Sequence, residues 1–174
     1  MKPGANRVTW VHGDVNALPA LQVDLTTMTR NVAQVFVDDD EWSATLKACR
    51  RALRPDGYMA FESRVPENQA RLRWTREASH GRAVLADVGP VESWVGVTEV
   101  RAGTVSFRTT YVFAADDATY TPDSTLRFRS YDELELLEGG WLRSRRGQRC
   151  AGPTGPRVRV PYPTSHLTVA RLFE

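Results

Sequence analysis

The pattern of apolar and polar positions is clearest from Gln22 to Ser63, QVDLTTMTRNVAQVFVDDDEWSATLKACRRALRPDGYMAFES. Val23 to Met28 predicts a strand that ends in a polar loop, Thr29-Arg30-Asn31. A helix is predicted from near Asp40, because the acidic run Asp38 to Glu41 suits the positive end of a helix dipole. Trp42, Leu46, Cys49 and Leu53 then recur on one face at helical spacing, with Thr45 and Ala52 beside them. Pro55 and Gly57 end that helix, one unable to continue it and the other tolerant of the reversal. Tyr58 to Phe61 is short and apolar, as a strand buried on both faces should be. The whole reads as a βαβ unit with parallel strands near 23–28 and 58–63. Such a unit places a ligand beyond the carboxyl ends of its strands, here Met28 to Asn31 and Glu62 to Arg64.

The flanking stretches are read the same way. Val8 to His12 alternates as a strand and runs into a Gly13-Asp14 turn. Glu67 to Ser79 is polar and helical, with Arg71, Arg73 and Arg76 as a solvated face. From Val91 the period becomes two: Val91 to Val100 and Thr104 to Phe113 flank Arg101-Ala102-Gly103 as a β-hairpin, and Thr125 to Arg129 adds a third strand. Ser130 with Glu133 is a capping box for a helix carrying Leu134, Leu136 and Leu137, which stops at Gly139-Gly140. Arg143 to Pro163 has no period and predicts loop or disorder; His166 to Phe173 predicts a closing strand. The fold class expected is α/β: a partial Rossmann-like, doubly wound and mostly parallel sheet with an antiparallel β-hairpin insertion. One domain is expected over 1–174, with the Rossmann-like part at 1–66 and 130–174 and the insertion at 88–129.

Composition narrows the classes of function. A chain of 174 residues can bury one core, and no apolar run approaches the length of a membrane span. The first ten residues, MKPGANRVTW, lack the apolar segment of a signal peptide. Cys49 and Cys150 have neither disulfide-framework nor metal-ligand spacing, which fits a cytoplasmic protein with reduced thiols. The net charge of +2 conceals an asymmetry: 139–174 holds seven arginines against Glu174 alone, leaving the first 138 residues at −4. That basic tail has no interleaved aromatics on which bases could stack, so a nucleic-acid partner is not expected. His12 has no Ser, Cys or metal-ligand companion nearby, and catalysis by it is not expected either.

Order and spacing together resemble a known family. A strand ending in DLTTMTRN, an amphipathic helix and then LRPDGYMAFES is similar to the second half of a class I S-adenosylmethionine-dependent methyltransferase. RVTWVHGDVNALP, Arg7 to Pro19, resembles that family's third strand and its Gly-Asp adenine-side loop. Leu53-Arg54-Pro55-Asp56-Gly57 departs at one position from the family's Leu-Arg/Lys-Pro-Gly-Gly turn, and Arg30 stands where a small residue is usual. The resemblance implies S-adenosylmethionine as cofactor, with Asp14 and the backbone of Val15 at the adenine and Met28, Thr29 and Asn31 at the methionine end. It implies a small-molecule acceptor, with Arg64, Trp94, Arg127 and Arg129 as residues lining its site. The family's Gly-x-Gly-x-Gly loop and the acid that grips the ribose are missing: before position 57 the glycines are Gly4 and Gly13, and no acid precedes Asp14. The chain therefore reads as an N-terminally truncated relative, whether fragment, late-start gene or degenerate copy, with methyl transfer impaired. Two other readings stay open: a ligand-binding or interaction module that has lost catalysis, and a nucleic-acid-associated protein using the basic tail.

Overall fold

The computed structural model describes residues 7–64, 66–137, 142–149 and 166–172, with side chains described as far as Leu134. Strand β1 (Val23–Met28) falls where the apolar pattern puts it. Helix α1 (Asp39–Ala52) starts three residues before Trp42, because Asp38 caps it by accepting from the N–H groups of Asp40 and Glu41, both at 2.9 Å. Its buried face is Trp42, Thr45, Leu46, Ala48, Cys49 and Ala52. The chain then enters β2 (Leu53–Ser63), which runs parallel to β1 with Thr26 opposite Met59 and Met28 opposite Phe61. The turn at the start of β2 places its positive φ, 63°, on Asp56 rather than on Gly57. Gly57 answers a different need: a Cβ there would stand 2.9 Å from the Arg54 carbonyl oxygen.

Two strong expectations fail here. Val8 to His12 is not a strand; it is exposed, and no neighbouring strand is placed to pair with its backbone among the described residues. An extended segment without a ladder leaves its N–H and C=O groups to water. Nor is β2 buried on both faces. Gly57, Met59, Phe61 and Ser63 are buried, while Tyr58 is exposed and Ala60 and Glu62 are half-buried. The buried side meets α1 in one core: Trp42, Leu46, Cys49, Leu53, Met59, Phe61 and Ala33, joined by Leu134 of helix α3 (Tyr131–Leu137). Both helices therefore serve the same face of the sheet, and the doubly wound arrangement is not present among the described residues.

The sheet is completed by β8 (Leu142–Arg149) and β9 (His166–Leu172), in the order β1-β2-β9-β8. Both β2–β9 and β8–β9 are antiparallel, so one pair of three is parallel and the expected mostly parallel sheet is corrected to a mixed one. The predicted closing strand is found as β9. The predicted loop from Arg143 is instead a strand to Arg149, because β9 supplies a hydrogen-bonding partner that no local period announces. Residues 150–163 of that predicted loop, Cys150 among them, and Gly139-Gly140 lie outside the described residues.

Between β2 and α3 stands a second sheet. The predicted helix 67–79 is broken into two 3-10 turns, Pro66–Asn68 and Ala70–Arg73, and a single turn, α2 (Arg76–Ser79). Strands β3 (Gly81–Leu85), β4 (Gly89–Arg101), β5 (Thr104–Phe113), β6 (Thr119–Tyr120) and β7 (Asp123–Arg127) follow, all antiparallel. The β4–β5 hairpin turns at Ala102-Gly103, with Gly103 at φ 73° as such a turn requires. One face of this sheet closes over Trp74, Phe128, Val105 and Ala70, with Phe107 edge-on to Trp74 at 4.9 Å between centroids. The capping box forms as predicted: Glu133 N–H donates to Ser130 Oγ at 3.2 Å, and Ser130 N–H to Glu133 Oε2 at 2.7 Å.

Candidate functional site

A trough of 650 Å³ runs along β1, between its outer edge, the flank of α1 and the segment 11–21. Consecutive residues of β1 line it, so the wall is the strand's backbone edge as well as its side chains. Thr45, Cys49 and Ala52 of α1 face it from the other side. Burial pushes the Cys49 thiol above its ordinary pKa, which keeps it neutral and a poor nucleophile.

The structure brings Asp14, Val15 and Met28 to this one trough. Asp14 also has a local role: its Oδ1 accepts from Asn16 N–H at 2.8 Å and caps the 3-10 turn Val15–Ala17. Thr29 and Asn31 are not lining residues; they continue the chain past the carboxyl end of β1. Thr29 is exposed and Asn31 is buried. Arg30 and Asn31 both stand at φ 60°, two successive non-glycine residues in the left-handed region. That conformation is uncommon and is found where the surroundings impose it.

The four residues expected around an acceptor are dispersed. Arg64 is buried behind the end of β2, where its Nη1 donates to Gln34 Oε1 at 2.9 Å and its guanidinium lies 5.7 Å from the Trp74 ring centre. Arg129 is 2% exposed. Its guanidinium donates to Asp39 Oδ1 at 2.7 and 3.2 Å, to the Phe36 carbonyl at 2.8 Å and to the Asp38 carbonyl at 3.4 Å. It clamps the loop 36–39 over Trp42, whose ring centre is 5.4 Å away. Arg127 pairs with Glu133 at 2.9 Å and donates to the Ala102 carbonyl at 3.3 Å. The N–H of Ser130 and the charge of Arg127 hold the Glu133 carboxyl below its ordinary pKa. Trp94 lies across the second sheet, with the Arg76 guanidinium 4.3 Å from its ring centre and His80 stacked on it at 6.1 Å.

Sequence reasoning passed over Gln34, Thr26 and Thr45. Gln34 is 1% exposed and links the two halves, accepting from Arg64 and donating to the Arg127 carbonyl at 3.4 Å. Thr26 lines the trough with a buried hydroxyl that has no partner among the described residues. Thr45 was readable only as a core position at helical spacing. Among the described residues no group of His, Cys, Asp and Glu is arranged to hold a metal ion, and no helix is long and apolar enough to cross a membrane.

No protein-family model matches this chain and no curated protein does. Solved structures do. The CcbJ methyltransferase from Streptomyces caelestis superposes with a TM-score of 0.70 at 20% identity, over 99% of this chain and 71% of that one. An S-adenosylmethionine-dependent methyltransferase from Clostridium acetobutylicum gives 0.63 at 12% identity, over 93% of this chain and 63% of that one. The sugar N-methyltransferase KedS8 from Streptoalloteichus gives 0.64 at 11% identity, over 93% and 61%. The chain thus spans between three-fifths and three-quarters of the length of these structures, and it carries the fold of class I S-adenosylmethionine-dependent methyltransferases.

Proposed function

We propose that this chain belongs to a system that transfers a methyl group from S-adenosylmethionine to a small-molecule acceptor. The observation that carries the reading is the trough along β1, which gathers Asp14, Val15 and Met28, the last at the carboxyl end of a parallel strand pair. A site beyond the carboxyl ends of parallel strands is where such sheets hold ligands. Two of the residues suit the cofactor's two ends: Asp14 offers a carboxylate for the adenine amine, and Met28 stands at the carboxyl end of β1 for the methionine end. When bound, the cofactor supplies an electrophilic methyl on sulfur, and transfer depends chiefly on alignment with the acceptor. The protein's share is to position: α1 and β1 exclude water on one side, and the Arg129 clamp fixes the loop between Phe36 and Asp39. The fold likeness and the sugar N-methyltransferase among the similar structures support a small organic acceptor.

Residues 1–174 contain no Gly-x-Gly-x-Gly loop, and no acid stands before Asp14 to hold a ribose. Two absent hydrogen bonds to a carboxylate, at about 1.5–3 kcal/mol each, amount to roughly two to four decades of affinity. The chain by itself therefore binds S-adenosylmethionine weakly. The test is calorimetry with S-adenosylmethionine: the expected dissociation constant is millimolar and rises further in Asp14→Ala. Micromolar binding by this chain would mean that the ribose is held by a residue not named here. A second reading, a ligand-binding or interaction module without catalysis, is favoured by the same missing loop and predicts no cofactor binding at all.

A further inference from the structure

A strand at the edge of a sheet presents a row of backbone donors and acceptors, ordinarily guarded by charge, proline, a bulge or a covering segment. The outer edge of β1 has little of this. Val23–Met28 carries no proline and one charge, Asp24, which is paired with Arg54 of β2, and its register with β2 is regular from Leu25 to Met28. Beside that edge lies the trough, with a mostly apolar lining. A second segment has the complementary need. Val8 to His12 alternates as a strand, yet it has neither a strand partner nor a backbone hydrogen bond among the described residues, and Trp10 is 88% exposed. The chain does not bring edge and segment together by itself. Asp14 caps the turn Val15–Ala17, and Gly13 sits so close that a Cβ on it would stand 2.6 Å from the Ala17 Cβ. That tight corner leaves Val11 lining the trough and Val8 to Trp10 exposed.

We infer that the two meet between copies of this chain: residues 8–12 of one copy add as a strand to the outer edge of β1 in a second, and the reciprocal exchange closes a twofold dimer. The lengths agree, about 17 Å for five extended residues against about 20 Å for the six of β1. Alternation sets Val8 and Trp10 on one side of the added strand, where the apolar lining of the trough takes the indole out of water. The charges agree as well, since Arg7 precedes the segment and Glu41 of α1 lies in the lining. A twofold axis makes each of these contacts twice, as a self-complementary interface requires. Main-chain pairing supplies affinity and the seated side chain supplies selectivity, the usual division when a strand is added to a sheet edge. The second copy thereby contributes a wall to the trough. This inference needs only the edge, the trough and the segment, and does not depend on the methyl-transfer reading.

The experiment is sedimentation velocity on the full chain from micromolar to near-millimolar concentration, with hydrogen exchange measured at both ends of that range. The wild type should pass from monomer to dimer, and the amides of 8–12 and 23–28 should exchange more slowly at the upper end. Trp10→Ala should raise the dimer dissociation constant about a hundredfold, because a twofold dimer loses the indole twice. Val8→Pro and Thr9→Pro remove donors that point to opposite sides of a strand, so one of them should weaken the dimer by about tenfold and the other much less. All three positions are exposed, and the melting midpoint of the monomer should stay unchanged. Val84→Lys, on the exposed surface of β3 in the second sheet, should leave the association as it is. A monomer at every concentration overturns the inference, even if 8–12 and 23–28 are protected, since the pairing would then lie within one chain. A dimer that Trp10→Ala leaves intact, or that Val84→Lys disrupts, overturns it too.

Discussion

The two sheets of this molecule treat their edges and faces in opposite ways. In the second sheet the backbone groups of β4 that reach past β3 are taken up: Val95 N–H donates to Ser79 Oγ at 2.8 Å and Val97 N–H to the Trp74 carbonyl at 3.3 Å. On β5, Thr109 N–H donates to the Pro122 carbonyl at 3.0 Å and Phe113 N–H to the Ala118 carbonyl at 2.9 Å. In the first sheet, no strand among the described residues pairs with the outer edge of β1. On its second face Leu25 is 51% and Tyr58 42% exposed. The difference follows from strand direction. Antiparallel strands close locally and tolerate one wet face, whereas parallel pairs are ordinarily covered on both. The candidate site therefore sits on the less self-sufficient half, which among the described residues is held by the core around Trp42 and by the buried Arg129 and Arg64.

If this comparison is right, damage to the first core should be costly. Trp42→Ala removes a fully buried indole packed on Phe36 and Phe61 and should cost about 3–5 kcal/mol in denaturant melts. Leu46→Ala should cost about 2–5 kcal/mol on the same ground, while Lys47→Ala on the exposed face should stay within about 0.5 kcal/mol. Equal effects at positions 46 and 47 would break the assignment of the helix face. Arg129→Met should cost about 1.5–3 kcal/mol, since it strips charge-assisted bonds from Asp39 and from the Phe36 carbonyl while keeping the apolar stem. In hydrogen exchange its effect should appear in the loop 32–38 and leave β4 and β5 protected; loosening of both sheets together would mean that they are not separate in stability.

The smallest expected effect concerns pH. Glu133 has a lowered pKa in the folded protein, so its contribution is present above the ordinary glutamate value of 4.5 and is lost as pH falls through the folded value below it. Glu133→Gln should flatten the fall of the melting midpoint below about pH 4.5 and lower that midpoint slightly at pH 7, where the charge-assisted bond from Ser130 N–H and the Arg127 pair are both weakened or lost. An unchanged acid profile would mean that the capping box at α3 opens in solution.

Local sequence determined whatever rests on short-range physics. The apolar run of β1, the acidic start and one-sided face of α1, the β4–β5 turn at Gly103 and the Ser130–Glu133 box all formed where their residues indicate, because each is satisfied by neighbours a few positions away. Tertiary structure decided the rest. Val8 to His12 has a strand's alternation and Leu142 to Arg149 has none, yet the first has no strand partner among the described residues and the second lies beside β9. A ladder needs a partner, and whether one arrives is not written in the segment itself. The site divides in the same way. Met28 and Asp14 could be named from their places at a strand end and a turn. That Arg129 would be spent on Asp39, or that Asn31 would be buried without capping its own turn, depended on contacts across some ninety residues in one case and on a strained loop in the other.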